Sequence, residues 1–265
     1  MDSIKICDVI EYWDRRPCNV RHSNLPHGSK EYFDAVEARK YFVEPHIPKF
    51  ADFAQWRGKR VLEIGCGIGT DTINFARAGA KVTAIDISKE SINIASARAK
   101  VFGLENMIDF KIGNTEDLSQ FIMPSTYDLI YSFGVLHHTP NPYKAVSQFK
   151  QFMDSKSELR IMLYAKNSWK NFMIEAGMDQ PEAQNDCPIA YTYTNADVQS
   201  LLNEFEIINI SQDHIFPYKI ENYVKHEYKL EPWFEAMPKN IFKLLEKKIG
   251  WHMLIKARIL ISPTQ

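Results

Sequence analysis

The sequence predicts an α/β fold: a mostly parallel, seven-stranded sheet with an antiparallel last strand, helices on both faces and a helical cap ahead of it. Three observations carry that prediction. Between Lys59 and Tyr164, short β-rich runs alternate with helix-period runs, the pattern of successive βαβ units. The first strand runs directly into a glycine turn and a helix, in VLEIGCGIGTD at 61–71. The chain then closes on a strand, a long excursion and a terminal strand, which suggests an antiparallel edge on a parallel sheet.

The elements follow in order. Residues 1–57 read as helices, clearest in EYFDAVEARKYFVE (31–44), which Pro45 ends; a polar loop, DRRPCNVRHSNLPHGS (14–29), precedes it. RVLEI (60–64) is a strand, and TDTINFARAG (70–79) is a helix stopped by glycine. KVTAID (81–86) is the next strand, followed by a helix over 88–103 with Ser88 as N-cap and Gly103 as stop. Strands at 107–112, 127–133 and 158–164 follow, with a helix at 143–153 between the last two. A helix at 195–205, a strand at 205–211, a helix at 237–250 and a final strand at 251–260 complete the chain. The organisation is therefore a cap (1–57), a ligand-binding core (58–165) and a C-terminal part (166–265) carrying an aromatic insertion at about 212–250.

Composition excludes some functions. Lys plus Arg total 32 and Asp plus Glu 33, so no global field draws the chain to nucleic acid or anionic membrane. Cys7, Cys18, Cys66 and Cys187 lack disulfide-framework or zinc-type spacing, so no metal is expected and a reducing cytoplasm fits. No signal-peptide core opens the sequence, and no run nears the roughly 20 apolar residues of a membrane helix. Oligomeric state is not readable.

The glycine turn points to a ligand. Glycine has no Cβ to block close approach, and a helix N-terminus offers free N–H donors. Gly65, Gly67 and Gly69 form G-x-G-x-G, so the third glycine comes one residue earlier than in the dinucleotide pattern. Glu63 precedes the turn, where an acid would repel a pyrophosphate but tolerate a ligand with a positive centre. E-x-G-C-G-x-G-T resembles motif I of the class I S-adenosylmethionine-dependent methyltransferases, and the resemblance spans about residues 59–164. Asp86 ends the second strand where an acid bonds ribose hydroxyls. GNTEDL (113–118) is similar to the family's adenine-side motif, with Asn114 in place of the usual Asp. YDLIYSFGVLHHTPNP (127–142) resembles the fourth motif of the small-molecule branch.

The resemblance implies S-adenosyl-L-methionine as methyl donor, S-adenosyl-L-homocysteine as product, and a small-molecule acceptor methylated on oxygen or nitrogen. It implies cofactor contacts from Glu63, Gly65, Cys66, Gly67, Gly69, Asp86, Ile87, Asn114, Thr115, Glu116 and Phe133. His137 and His138 follow the fourth strand at the ligand face, as a general base or as braces for their loop; adjacent residues diverge, so at most one faces an acceptor. Arg21 and His22 lie in a loop that could close as a lid and clamp a carboxylate, or stay solvated. His214, Phe216 and Tyr218 in the insertion are either acceptor contacts or an aromatic packing patch. Tyr32 and Tyr41 read as core packing. NPY (141–143) imitates a nucleic-acid methyltransferase motif but comes too far past the strand, opening a helix. Two alternatives stay open: a protein that binds the cofactor without turnover, and a metalloid methyltransferase using Cys18, Cys66 and Cys187.

Overall fold

A computed structural model describes residues 6–178 and 187–260. The cap comprises α1 (Ile6–Arg15), α2 (Lys30–Val43) and α3 (His46–Ala51). The core runs β1 (Arg60–Ile64), α4 (Thr70–Arg77), β2 (Lys81–Asp86), α5 (Lys89–Val101), β3 (Ile108–Ile112), β4 (Leu129–Phe133), α6 (Pro142–Phe149) and β5 (Glu158–Tyr164). Beyond it lie α7 (Trp169–Glu175), α8 (Asn195–Leu201), β6 (Phe205–Asp213), α9 (Ile220–Tyr223), α10 (Pro232–Glu235), α11 (Lys239–Ile249) and β7 (His252–Ile259).

The seven strands form one sheet in the order β3-β2-β1-β4-β5-β7-β6. β1 to β5 pair in parallel, and β7 runs antiparallel to both β5 and β6. The expected topology is therefore present, with element ends moved by a few residues. Alternation along the strands divides the core: Leu62 and Ile130 pack on one face with Phe149 and Leu159, while Val61, Leu129 and Tyr131 pack on the other with Phe50 and Phe75. The order reverses between β1 and β4, which leaves a crevice at their carboxyl ends.

Local chemistry fixes the helix starts that border this crevice. Ser88 Oγ accepts from Ser91 N at 3.0 Å and so caps α5, while donating to Asp14 Oδ1 at 2.8 Å. The end of α1 is thereby tied to the start of α5. Asn141 caps α6 through Lys144 N, and Pro142 stands in its first turn. The insertion folds back on the cap: Arg39 Nη2 donates to the Tyr223 carbonyl at 2.8 Å, and Tyr218 stacks on Phe42.

Arg160 on β5 anchors the cap to the sheet. Its buried guanidinium donates from Nη1 to the carbonyls of Phe50 (2.5 Å) and Ala51 (2.8 Å), from Nη2 to Gln55, and from Nε to Glu158. These carbonyls end α3 and lack partners within the helix. Replacing the guanidinium with a thioether of similar length removes this donor from the Phe50 carbonyl and leaves the Ala51 carbonyl with Trp56 Nε1 alone, 3.0 Å away. Arg160→Met is expected to cost about 2–4 kcal/mol and lower the thermal midpoint by roughly 5–10 °C; an unchanged midpoint in a melting experiment contradicts this anchoring.

Candidate cofactor and acceptor site

A cavity of about 190 Å³ occupies the crevice, with the glycine turn as its floor and Val9 and Trp13 of α1 in its wall. The three glycines of the turn have positive φ, but their surroundings differ. A Cβ on Gly65 would lie 2.1 Å from Val135 Cγ2, and one on Gly69 would lie 3.0 Å from Ala95 Cβ. Packing therefore demands those two glycines. A Cβ on Gly67 meets nothing within 4 Å, and Gly67 lines the cavity. Gly67 is the one that leaves room for a ligand.

Asp86 stands beside the turn. Its Oδ2 accepts from Gly67 N at 2.8 Å and its Oδ1 from Ser88 N at 2.9 Å. Burial pushes its carboxyl above the usual range, against the pull of these N–H groups. A carboxylate has about four acceptor positions, so Asp86 retains acceptor capacity for a ligand hydroxyl. Asn114 and Thr115 line the same wall. Asn114 Oδ1 accepts from Glu116 N, and the buried Thr115 Oγ1 finds no hydrogen-bond partner among the described residues. Such an orphaned hydroxyl at a cavity wall fits a polar ligand. Cys66, Ile87 and Phe133 complete this side.

Glu63 and Gly69 lie outside the lining. Glu63 is buried under the turn and accepts from Thr72 Oγ1 at 2.5 Å. Burial, with the Asp71 charge, pushes its carboxyl up to about 8. A cationic ligand nearby would restore the ionised form. Glu116 also turns away, accepting from Asn141 N at 2.9 Å.

The two histidines after β4 separate as adjacent residues must. His138 lines the cavity, and His137 is enclosed behind it against Tyr164, with ring centroids 3.6 Å apart. His138 Nδ1 lies 2.6 Å from the Ile189 carbonyl, so that nitrogen carries the proton and Nε2 the lone pair. Burial lowers its pKa to about 4, which keeps the ring neutral at pH 7 and makes it a weak proton acceptor.

Other expectations are corrected by the geometry. Arg21 is exposed and His22 is absent from the lining; the nearby cavity residues are Cys18 and Asn19. Burial, with Arg39 nearby, lowers His22 to about 3. On this side of the cavity the lining comes from α1 and from Cys18 and Asn19, not from the basic pair. Phe216 and Tyr218 border a separate small hollow with Trp169 and Phe234, which favours the packing reading for them. Tyr32 does pack in the core, but Tyr41 donates to Asp71 Oδ1 at 2.9 Å and belongs to a polar cluster. All three thiols of the cysteine alternative lie at or beside this cavity, since the His138 that Cys187 approaches is itself in the lining. Cys18 and Cys66 line the cavity, whereas Cys187 lies 3.5 Å from His138 Nδ1.

Several residues at the site were not anticipated: Trp13, Lys40, Glu44, Tyr164 and His252 also line the cavity. Sequence spacing suggested no metal ligands, yet Glu44, His214 and His252 present ligand atoms within 4.8 Å of one another. These residues are far apart in the chain, so no spacing pattern reveals them. The nearest signal lay in EPH at 44–46 and WH at 251–252, two acid- or aromatic-flanked histidines at element ends.

Residues 56–214 match the methyltransferase domain family, and the chain belongs to that family. The class is that of the S-adenosylmethionine-dependent, Rossmann-like enzymes. The chain is 32% identical over 145 residues to the ubiquinone biosynthesis O-methyltransferase of Xylella fastidiosa, covering 49% of this chain and 54% of that protein. It is 36% identical over 100 residues to the Nitrosococcus oceani enzyme of the same name, covering 38% and 41%. The chain thus spans about half the length of the curated relatives it matches. Magnesium protoporphyrin IX methyltransferase from Synechocystis PCC 6803, solved with bound S-adenosylhomocysteine, superposes with a TM-score of 0.62 at 16% identity, over 96% of this chain and 99% of that one. The [4+2]-cyclase SpnF superposes at 0.61 and 17%, over 96% of each. At these identities the likeness shows the fold.

The glycine pair yields a test. Gly67→Ala is expected to fold, losing about 1–2 kcal/mol to its left-handed backbone, and to weaken S-adenosylhomocysteine binding at least tenfold. Gly65→Ala is expected to lose far more stability through the clash with Val135. Melting curves and calorimetric titrations of both variants decide this; a Gly67→Ala protein that binds as tightly as the parent refutes the assignment of the floor.

Proposed function

We propose that the protein transfers a methyl group from S-adenosylmethionine to an oxygen or nitrogen of a small molecule, leaving S-adenosylhomocysteine. One observation carries this reading: the open face of Gly67, the Asp86 carboxylate and the orphaned Thr115 hydroxyl border a single cavity that continues to Phe133, Tyr164 and His252. The cofactor supplies, when bound, a methyl group activated by a sulfonium cation.

The residues divide the work. Asp86 holds ribose hydroxyls, Asn114 and Thr115 run along the base, and Gly67 lets the backbone approach, with Gly65 and Cys66 beside it in the floor. Gly69 keeps the turn compact against α5, and Ile87 and Phe133 supply apolar walls. Glu63 acts from beneath the turn, where a cationic ligand favours its ionised form. Glu116 holds the loop before α6. Val9 and Trp13 exclude water, so that acceptor and methyl meet in a dry, aligned setting; positioning of this kind supplies several kcal/mol of barrier reduction.

The acceptor end lies at Glu44, Tyr164 and His252, where the cap and the C-terminal part meet. The division into a cap (1–57), a core (58–165) and a C-terminal part (166–265) with an insertion at about 212–250 suits this arrangement. His138 is the histidine placed to receive a proton from the acceptor, and its weak basicity favours an acceptor that gives its proton up readily. The relatives named as ubiquinone biosynthesis O-methyltransferases favour oxygen as the acceptor atom. Balanced charge, and an Asn141–Pro142 pair engaged in capping α6, favour a small molecule over nucleic acid. Among the described residues no helix is long and apolar enough to cross a membrane, and all four cysteines are free, in keeping with a cytoplasmic enzyme.

The test combines purified protein, methyl-labelled S-adenosylmethionine and a fractionated extract of the source cells. Label is expected in the small-molecule fraction. Label in protein or nucleic acid contradicts the acceptor class. Tight S-adenosylhomocysteine binding with no labelled fraction contradicts the transferase reading and favours a binding protein.

A further inference from the structure

Glu44, His214 and His252 meet beside the cavity, and the cofactor half of the site makes no use of them. One carboxylate oxygen and one nitrogen of each imidazole lie within 4.8 Å of one another, and all three side chains are buried. Three separate pieces of chain bring them together. Glu44 ends α2, His214 follows β6, and His252 opens β7. A fourth residue, His46 at the start of α3, places Nε2 2.8 Å from His252 Nδ1.

The backbone is committed to this meeting. His214 has φ +75°, a left-handed conformation that residues other than glycine seldom adopt. It is held there from both sides: its N–H donates to Asp213 Oδ1 at 2.8 Å, and its carbonyl accepts from Trp251 N at 2.7 Å. Strain maintained in this way is characteristic of functional positions.

The donor chemistry is selective. Two imidazoles and one carboxylate form the set that borderline divalent cations take in catalytic sites, which leave further positions for water or substrate. Hard ions such as Mg²⁺ prefer oxygen ligands throughout. Nδ1 of His252 is engaged by His46 Nε2 and lies 3.6 Å from Glu44 Oε1, which leaves Nε2 of His252 as the ligating nitrogen and His46 as the second contact that orients the ring. Glu44 and His252 also line the cavity wall, so an ion among these donors would face the space where an acceptor must sit.

We propose that Glu44, His214 and His252, with His46 as a positioning residue, form a binding site for a divalent transition-metal cation of the Zn²⁺ type that anchors an oxygen donor of the acceptor. The role assigned to the ion rests on the methyl-transfer reading, whereas the site itself rests on the donor cluster. An acceptor of this class carries a hydroxyl or carboxylate oxygen able to ligate the ion. Lewis-acid contact also makes a hydroxyl proton easier to lose, which suits a site whose cavity histidine is a weak base.

The experiment uses the full-length protein, stripped with a chelator and titrated with Co²⁺ as the probe. Visible absorption reads the coordination, and S-adenosylhomocysteine calorimetry on the same samples reports an intact fold. One Co²⁺ per chain is expected, with a dissociation constant below about 1 μM, displaced by Zn²⁺. His252→Ala and Glu44→Gln are expected to abolish the band, and His46→Ala to weaken binding by about 10–100-fold. A Zn²⁺ titration of the unaltered protein, followed by histidine ring NMR, covers the case in which a variant fails to fold; two ring signals must move by one equivalent. Absent Co²⁺ binding, or binding that survives His252→Ala and Glu44→Gln, overturns the site. Co²⁺ binding without S-adenosylhomocysteine binding overturns the methyl-transfer reading and leaves the metal site standing.

Discussion

A single buried carboxylate holds the cap, the glycine turn and the sheet in register. Asp71, in the first turn of α4, accepts from Lys40 Nζ at 2.7 Å, Tyr41 Oη at 2.9 Å and Tyr131 Oη at 3.0 Å. Lys40 and Tyr41 belong to α2, Tyr131 to β4, and Asp71 itself follows the glycine turn. A charge in a dry interior is tolerated only when fully partnered, and removing one partner of a buried ion pair typically costs about 3–5 kcal/mol. The network therefore specifies where α2 crosses the crevice. Glu63, one step below, is subject to the same field and is held close to neutrality.

From that fixed point the rest follows by geometry. With α2 pinned, Glu44 at its end reaches the edge of the cavity, and α3 carries His46 to His252. Arg98 repeats the arrangement on the other side: its buried guanidinium donates to Thr70 Oγ1 at 2.6 Å and to Glu37 Oε2 at 3.1 Å, joining α5, α4 and α2. The insertion then closes over the cap through Arg39 and Tyr223. The two ends of the chain thus complete a site whose cofactor half comes from the middle. This division fits a family match over residues 56–214 that leaves the cap and the last strand outside it.

The same division governs what the sequence discloses. The parallel core was legible because its signals are local: strand and helix periods, Ser88 as a cap, glycines at turns, and Asp86 at a strand end. The antiparallel edge was legible from the order of strands around a long excursion. What escaped notice is nonlocal. Asp71 reads in sequence as an ordinary acid in a helix's first turn, and only the fold shows that it gathers a lysine and two tyrosines. Trp13 lies in a helix whose register against the cavity no local pattern states. Arg21 looked suited to clamping a ligand because charge and loop chemistry are visible in sequence, whereas the direction a side chain faces is not. Glu44, His214 and His252 are joined only by β6 pairing with β7 and by the path of α2.

The central claim is that this crevice is shaped for S-adenosylmethionine and its product, with Gly67 and Asp86 at its floor. Calorimetric titration of the protein with S-adenosylhomocysteine, and separately with NAD, tests it most directly. The account predicts one S-adenosylhomocysteine bound per chain and no binding of NAD, because the third glycine of the turn comes one residue earlier than the dinucleotide pattern requires. Binding of NAD without binding of S-adenosylhomocysteine would contradict it.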